Sequence, residues 1–189
     1  SDPSHRTASV MFHIRFSTNT SPKWHLAQPY RVIAHNGEIN TISGNRNWAL
    51  ARMNNLSSKR FGDMRKYQPL INQSGSDSSS LDNMLEVLKE GGVNIGRAAR
   101  MLIPPSWQNT DLMDSDEKAF HEYNSMHMEA WDGPALICFQ DKSFLSCFLD
   151  RNGLRPAKIE YFNDETVCIS SEFGSNNDNL KTIKTDRLG

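Results

Sequence analysis

The chain has 189 residues, 37% of them hydrophobic and 23% charged, with a net charge of −1. That length supports one ordinary domain with a core, and the composition excludes a disordered chain. The small net charge removes any electrostatic case for nucleic acid or an anionic membrane as partner, and no apolar run approaches the length of a membrane span.

The start, Ser1-Asp2-Pro3-Ser4-His5, has no initiating Met and no charged-then-apolar signal pattern. Residues 1–8 are therefore expected to be a processed end, a remnant of cloning or the cut edge of something longer. Apolar runs over 9–16 and 30–35 predict strands. Residues 41–53 predict a helix with Ile42, Trp48, Ala49, Leu50 and Met53 on its apolar side. A second helix is expected over 79–90, capped by Asp77 or Ser78, striped by Leu81, Met84, Leu85 and Leu88, and stopped by Gly91-Gly92. A short third helix over 94–102 ends before Pro104-Pro105, and a fourth over 114–126 opens with Asp114 and Glu117 in capping-box spacing.

From residue 134 to 171 the pattern is a β meander: 135–140, 144–149, 158–162 and 166–170, with the polar loop Asp150-Arg-Asn-Gly-Leu-Arg-Pro156 in the middle. The polar tail from 174 onward is expected to be an extended arm. The basic zone over 46–66 and the acidic zone over 111–132 are expected to be solvated faces. Strands with helices gathered between them fit a layered α+β domain better than a doubly wound parallel sheet.

The candidate chemistry lies in three places. His35-Asn36-Gly37-Glu38 follows a predicted strand and precedes a predicted helix. A side-chain amide beside a glycine N–H can present two donors to one oxygen anion, although Asn-Gly is also a common turn. Arg15 ends the first apolar run, where a guanidinium can hold a carboxylate through two parallel hydrogen bonds, with the Thr18 hydroxyl three residues on. Asp77 sits among small residues, where it can bind an ammonium group or cap a helix. Together they suit an amino acid undergoing acyl chemistry, without a nucleophile.

Cys138, Cys147 and Cys168 lack the spacing of a zinc site or disulfide framework and are expected to be small buried hydrophobes in a reducing compartment. The histidines show no metal-ligand spacing, and His121 and His127 are expected to be exposed.

RFSTNT (15–20), LAQPYRVIAHNGEINTISGNRNW (26–48), SDSSSLDN (76–83), MLIPPSWQN (101–109), WDGPA (131–135), LDRNGLRP (149–156) and SSEFG (170–174) occur in order over nearly the whole chain. With these motifs the sequence closely resembles the class II glutamine amidotransferase domain of the glutamate synthase large subunit. The resemblance implies an N-terminal-nucleophile hydrolase fold, a four-layer αββα sandwich of antiparallel sheets. It also implies hydrolysis of L-glutamine to glutamate and ammonia. It places the substrate arginine on Arg15, a further substrate contact on Thr18, the oxyanion pair on Asn36 and Gly37, and the amino-group carboxylate on Asp77. FMN and an iron–sulfur cluster, which the family uses to turn 2-oxoglutarate into glutamate, are implied for other domains and not for these residues. The compartment implied is the cytoplasm, or the plastid stroma in a plant or alga.

The family's nucleophile is a cysteine at the mature amino terminus whose own α-amine serves as base, upstream of RFSTNT. No cysteine precedes Cys138 here. Residues 9–174 are therefore expected to be the carboxyl-side half of the domain, inactive alone, and 175–189 a tail leading to the next domain. The expected partners are the missing amino-terminal half and the downstream synthase domains, with self-association through unpaired strand edges a further possibility. The alternatives are a nucleophile-free module for glutamine binding or subunit contact, and one chain of a split amidotransferase.

Overall fold

The computed structural model describes residues 4, 6–17, 20–142, 144–172 and 180–188. Among them, strands β1 (Ile33–Gly37), β2 (Ala135–Gln140) and β3 (Leu145–Leu149) form one antiparallel sheet in the order β1-β2-β3. Strands β4 (Ala157–Phe162), β5 (Val167–Ser170) and β6 (Thr182–Leu188) form a second, in the order β5-β4-β6. Helices α1 (Ile42–Met53), α2 (Asp77–Glu90), α3 (Ile95–Leu102) and α4 (Ser115–Ser125) lie between β1 and β2 in sequence. The content is α+β.

The core lies between the first sheet and its helices. Strand alternation puts Ile33, His35, Ile137 and Phe139 on one face. The apolar members of that set join Leu81, Met84 and Leu85 of α2 and Ile95, Ala98, Ala99 and Leu102 of α3 in one buried cluster. Leu102 is fully buried, so truncation to Ala is expected to cost about 2–5 kcal/mol through lost transfer energy and the cavity left behind. The stripe expected on α2 packs inward as read. On α1 the inward line is Asn45, Ala49 and Met53, and Trp48 and Leu50 are exposed. Asn45 is tolerated inside because its amide donates to the Ala130 carbonyl at 3.0 Å and accepts from the Thr41 hydroxyl at 2.7 Å.

Several expectations need correction. The α2 cap is Ser76, whose hydroxyl accepts the Ser79 N–H at 3.1 Å, so Asp77 is the first helical residue rather than the cap. Residues 9–16 form no strand: Val10, Phe12 and Ile14 are exposed, no strand among the described residues completes a ladder with them, and the Arg15 N–H bonds to His13 Nδ1 at 3.0 Å. The expected meander is split, with one hairpin in each sheet, because the Asp150 loop breaks the chain between them. The tail is extended over 182–188, but as β6 paired with β4 (Lys158 opposite Arg187, Glu160 opposite Thr185) rather than as a free arm.

Two glycines fix the junction beside β1. The ladder continues past the strand ends, with Glu38 N–H donating to Pro134 O at 2.9 Å and Asn40 N–H to Asp132 O at 2.7 Å. Gly37 (φ +151°) and Gly133 (φ +153°) face this close approach: a Cβ would meet Pro134 O at 1.8 Å and Glu38 O at 1.9 Å, respectively. Only glycine fits either position.

Candidate functional site

Asn36 and Gly37 are the last two residues of β1. His35 N–H donates to Gln28 Oε1 at 2.7 Å, and Gln28 Nε2 donates to the His35 carbonyl at 3.0 Å. These bonds mark the edge of β1 away from β2, which carries no strand among the described residues. By the two-residue alternation of an antiparallel ladder, the Gly37 N–H points to that same open edge. The Asn36 side chain lies on the sheet face opposite the helices, where its Nδ2 donates to Ser171 Oγ at 2.7 Å. Ser171 follows β5, so this bond ties the second sheet to the end of β1.

Asp77 reaches the same region from α2. Its Oδ2 accepts the Ile39 N–H at 2.7 Å, and its Oδ1 accepts the Ser78 N–H at 2.7 Å. Oδ1 also lies 3.3 Å from the Ser78 hydroxyl, so the spare acceptor capacity is on Oδ2, which has two lone pairs and one donor. Arg46 of α1 holds the preceding turn, with Nη2 donating to Gly75 O at 2.8 Å and Nε to Ser80 Oγ at 3.1 Å. Asp77 therefore projects from a turn braced by a buried serine cap on one side and a guanidinium on the other.

Beneath the site, the His35 ring is buried and its Nδ1 lies 2.7 Å from Ser78 Oγ. Burial lowers its pKa from 6.5 to about 4; nearby Asp77 opposes the shift, and His13 and Arg155 reinforce it. His35 is thus neutral at neutral pH, with Nε2 buried and without a hydrogen-bond partner among the described residues. Asp82 of α2 ties β1 down further: its Oδ1 accepts both the Val32 N–H at 2.9 Å and the Ile33 N–H at 3.0 Å, while its burial raises the carboxyl pKa.

Arg15 lies on the irregular segment before β1 and is exposed. No hydrogen bond or ion pair joins it to Asn36, Gly37 or Asp77. Its neighbour His13 is half-buried, and burial lowers its pKa. Thr18 lies outside the described residues. The structure thus gathers Asn36, Gly37 and Asp77 and leaves Arg15 at the margin.

Comparison with known proteins identifies the family. The family model for class-II glutamine amidotransferases matches residues 1–189. The chain belongs to that family. It is 46% identical over 169 residues to the glutamate synthase [NADPH] large chain of Bacillus subtilis (strain 168), covering 89% of this chain and 11% of that protein. It is 45% identical over 168 residues to the glutamate synthase [NADH] of Schizosaccharomyces pombe, covering 88% and 8%. It is 44% identical over 184 residues to the ferredoxin-dependent glutamate synthase of Antithamnion sp., covering 95% and 12%. The chain spans about a tenth of the length of these curated relatives.

Within this amidotransferase chain, the LDRNGLRP loop is organised by one carboxylate. Asp150 Oδ1 accepts the N–H groups of Asn152 and Leu154, and Oδ2 those of Ala135 and Arg155, all at 2.9–3.1 Å. Burial alone would raise the Asp150 pKa, but these four donors outweigh it and hold the pKa below the ordinary carboxylate value. His121, expected to be exposed, is buried and stacks on Trp107 with centroids 6.4 Å apart. The cysteines are half-buried, not fully buried. Among the described residues no three His, Cys, Asp or Glu side chains converge to hold a metal ion, and no helix is long and apolar enough to cross a membrane. Ser171, Gln28 and Arg46 carry no signal of their own in the sequence beyond the motif blocks that contain them, and Ser78 reads there only as a candidate cap, because each acts through a contact with a distant segment.

Proposed function

We propose that these residues form the glutamine-binding and oxyanion-hole part of the glutaminase domain of a glutamate synthase, which hydrolyses L-glutamine to glutamate and ammonia. The observation that carries this reading is the convergence at the end of β1. The Gly37 N–H faces an open edge, the Asn36 amide lies beside it, and the Asp77 carboxylate is bonded to Ile39, two residues beyond Gly37.

In this reading Arg15 holds the α-carboxylate of glutamine, with Thr18 adding a hydroxyl, and Asp77 takes the ammonium group. A thiolate adds to the side-chain amide carbon, and the carbonyl oxygen becomes an anion between Asn36 Nδ2 and the Gly37 N–H. An amide nitrogen has two protons, so Asn36 can keep Ser171 while donating to the oxyanion. The amide nitrogen leaves, protonated, as ammonia; water then cleaves the thioester to glutamate and restores the thiol.

The attacking cysteine comes from outside these residues in this reading: the first cysteine in the sequence is Cys138, and its sulfur is engaged with that of Cys147. The two sheets would be the inner layers of a four-layer αββα sandwich completed by an amino-terminal half, and the ammonia would pass to downstream synthase domains. In this reading flavin and iron–sulfur chemistry belongs to the downstream synthase domains.

The test uses a rebuilt complete domain. Asn36→Ala is expected to lower turnover by roughly 10²–10³, the usual loss for one oxyanion donor. Arg15→Ala is expected to raise KM with kcat largely kept, because it grips a part of the substrate that does not change. Unchanged kinetics in both variants would contradict the assignment.

A further inference from the structure

Cys138 and Cys147 stand directly opposite each other in the β2–β3 ladder, and their sulfurs are 2.8 Å apart. The ladder's phase identifies the kind of pair. Asp150 N–H donates to Ala135 O at 2.9 Å at one end, and Asp141 N–H to Phe144 O at 2.9 Å at the other. Residues 135, 137, 139 and 141 therefore bond toward β3, which makes Cys138–Cys147 a non-hydrogen-bonded pair. Such pairs have Cα atoms about 4.5 Å apart, inside the span that a disulfide bridges. Both residues are half-buried, and β3 is the edge strand of its sheet, so a small reagent can approach Cys147 without opening the helix-side core. Cys168 lies on β5 opposite Glu160, in the other sheet, and is not part of the pair.

We propose that Cys138 and Cys147 are a thiol-modification site: a cross-strand dithiol that closes to a disulfide on reaction with a small disulfide such as glutathione disulfide. The Cys147 thiolate attacks one sulfur of glutathione disulfide, forming a mixed disulfide and releasing one glutathione. Cys138 then loses its proton and attacks the Cys147 sulfur, which forms the Cys138–Cys147 bond and releases the second glutathione. The dithiol gives up two electrons and two protons, and glutathione disulfide becomes two glutathione thiols. The shared hydrogen bond favours the first step: it holds Cys147 below the ordinary thiol range and pushes Cys138 up. The bridge would staple β2 to β3 on the sheet face that carries Asn36, since Asn36 is opposite Leu136, two residues from Cys138.

The experiment incubates the folded, reduced 189-residue chain with glutathione disulfide, removes it, denatures the protein and counts thiols. The expected count falls from three to one, with a mass lower by two hydrogens, no retained glutathione, a peptide joining positions 138 and 147, and full recovery with dithiothreitol. Cys138→Ser and Cys147→Ser should each lose this internal closure and instead keep two thiols or carry a glutathione. Three remaining thiols in the treated wild type, or glutathione adducts without the internal cross-link, would overturn the proposal. Should a serine variant fail to fold, the wild-type peptide map decides alone.

Discussion

Asp77 Oδ2 accepts the Ile39 N–H at 2.7 Å, so the first turn of α2 is tied to the backbone two residues beyond Gly37. The carboxylate that the family resemblance assigns to the substrate's amino group is therefore also a brace for the loop that follows the oxyanion pair. The two roles separate by substitution. Asp77→Asn keeps an oxygen for one backbone donor but removes the negative charge, and is expected to weaken glutamine binding at least tenfold with stability changed by about 1 kcal/mol. Asp77→Ala should lose both. Calorimetric titration beside a denaturation curve distinguishes them; an Asn variant with wild-type affinity would remove Asp77 from the substrate site.

Asp82 and Asp150 give opposite predictions for the same change. Asp82 receives both backbone donors on one oxygen, and burial already disfavours its charge. Asp82→Asn can keep the acceptor and should be nearly neutral, whereas Asp82→Ala leaves two N–H groups unpaired and should cost about 2–4 kcal/mol. Asp150 uses both oxygens for four donors, so an Asn amide would point its own protons at two N–H groups. Asp150→Asn is expected to cost about 2–3 kcal/mol. Equal losses for the two Asn variants, measured by urea denaturation, would contradict this geometry.

The buried His35 makes stability depend on pH. Its pKa in the folded chain, about 4, lies below the ordinary 6.5. Folding favours the neutral ring, so its contribution is full above about pH 6.5 and is lost as pH falls toward 4, in total ~3 kcal/mol. Burial also lowers His13 and His121, which act with the same sign. The difference between wild type and His35→Asn in denaturant midpoints across this window isolates His35. Parallel profiles would mean that the ring takes up its proton equally readily in the folded and the unfolded chain.

Gly37 and Gly133 should tolerate no side chain. Either Ala substitution drives a Cβ into a backbone carbonyl at under 2 Å in the present geometry, at positive φ. A loss of about 3 kcal/mol or more is expected for each. The double variant should lose less than the sum, because both clashes arise in one stretch of ladder. Thermal unfolding of the three variants checks this; additive losses would mean independent sites.

Much of this arrangement could be read from the residues themselves. The stripe Leu81, Met84, Leu85 and Leu88 announces α2, and Asn94 and Asp114 announce the starts of α3 and α4 through their side-chain oxygens. These signals are local. The remaining features depend on distant partners. Residues 9–16 have the alternation of a strand, but a strand also needs a neighbour. The 182–188 segment is polar, yet β4 supplies it with a ladder. His121 sits in an acidic helix, but Trp107 covers it. The candidate site followed the same rule: Asn36, Gly37 and Asp77 stand out in their motifs, while Ser171 and Arg46 matter only through contacts made across the fold.

Titration of L-glutamine into the purified chain by calorimetry tests the proposed glutamine site most directly. Saturable binding at millimolar ligand or below, lost in Asp77→Ala and accompanied by no ammonia release, is the predicted result. Absence of binding by the folded wild-type chain at millimolar glutamine, or ammonia release at an enzyme-like rate, would contradict it.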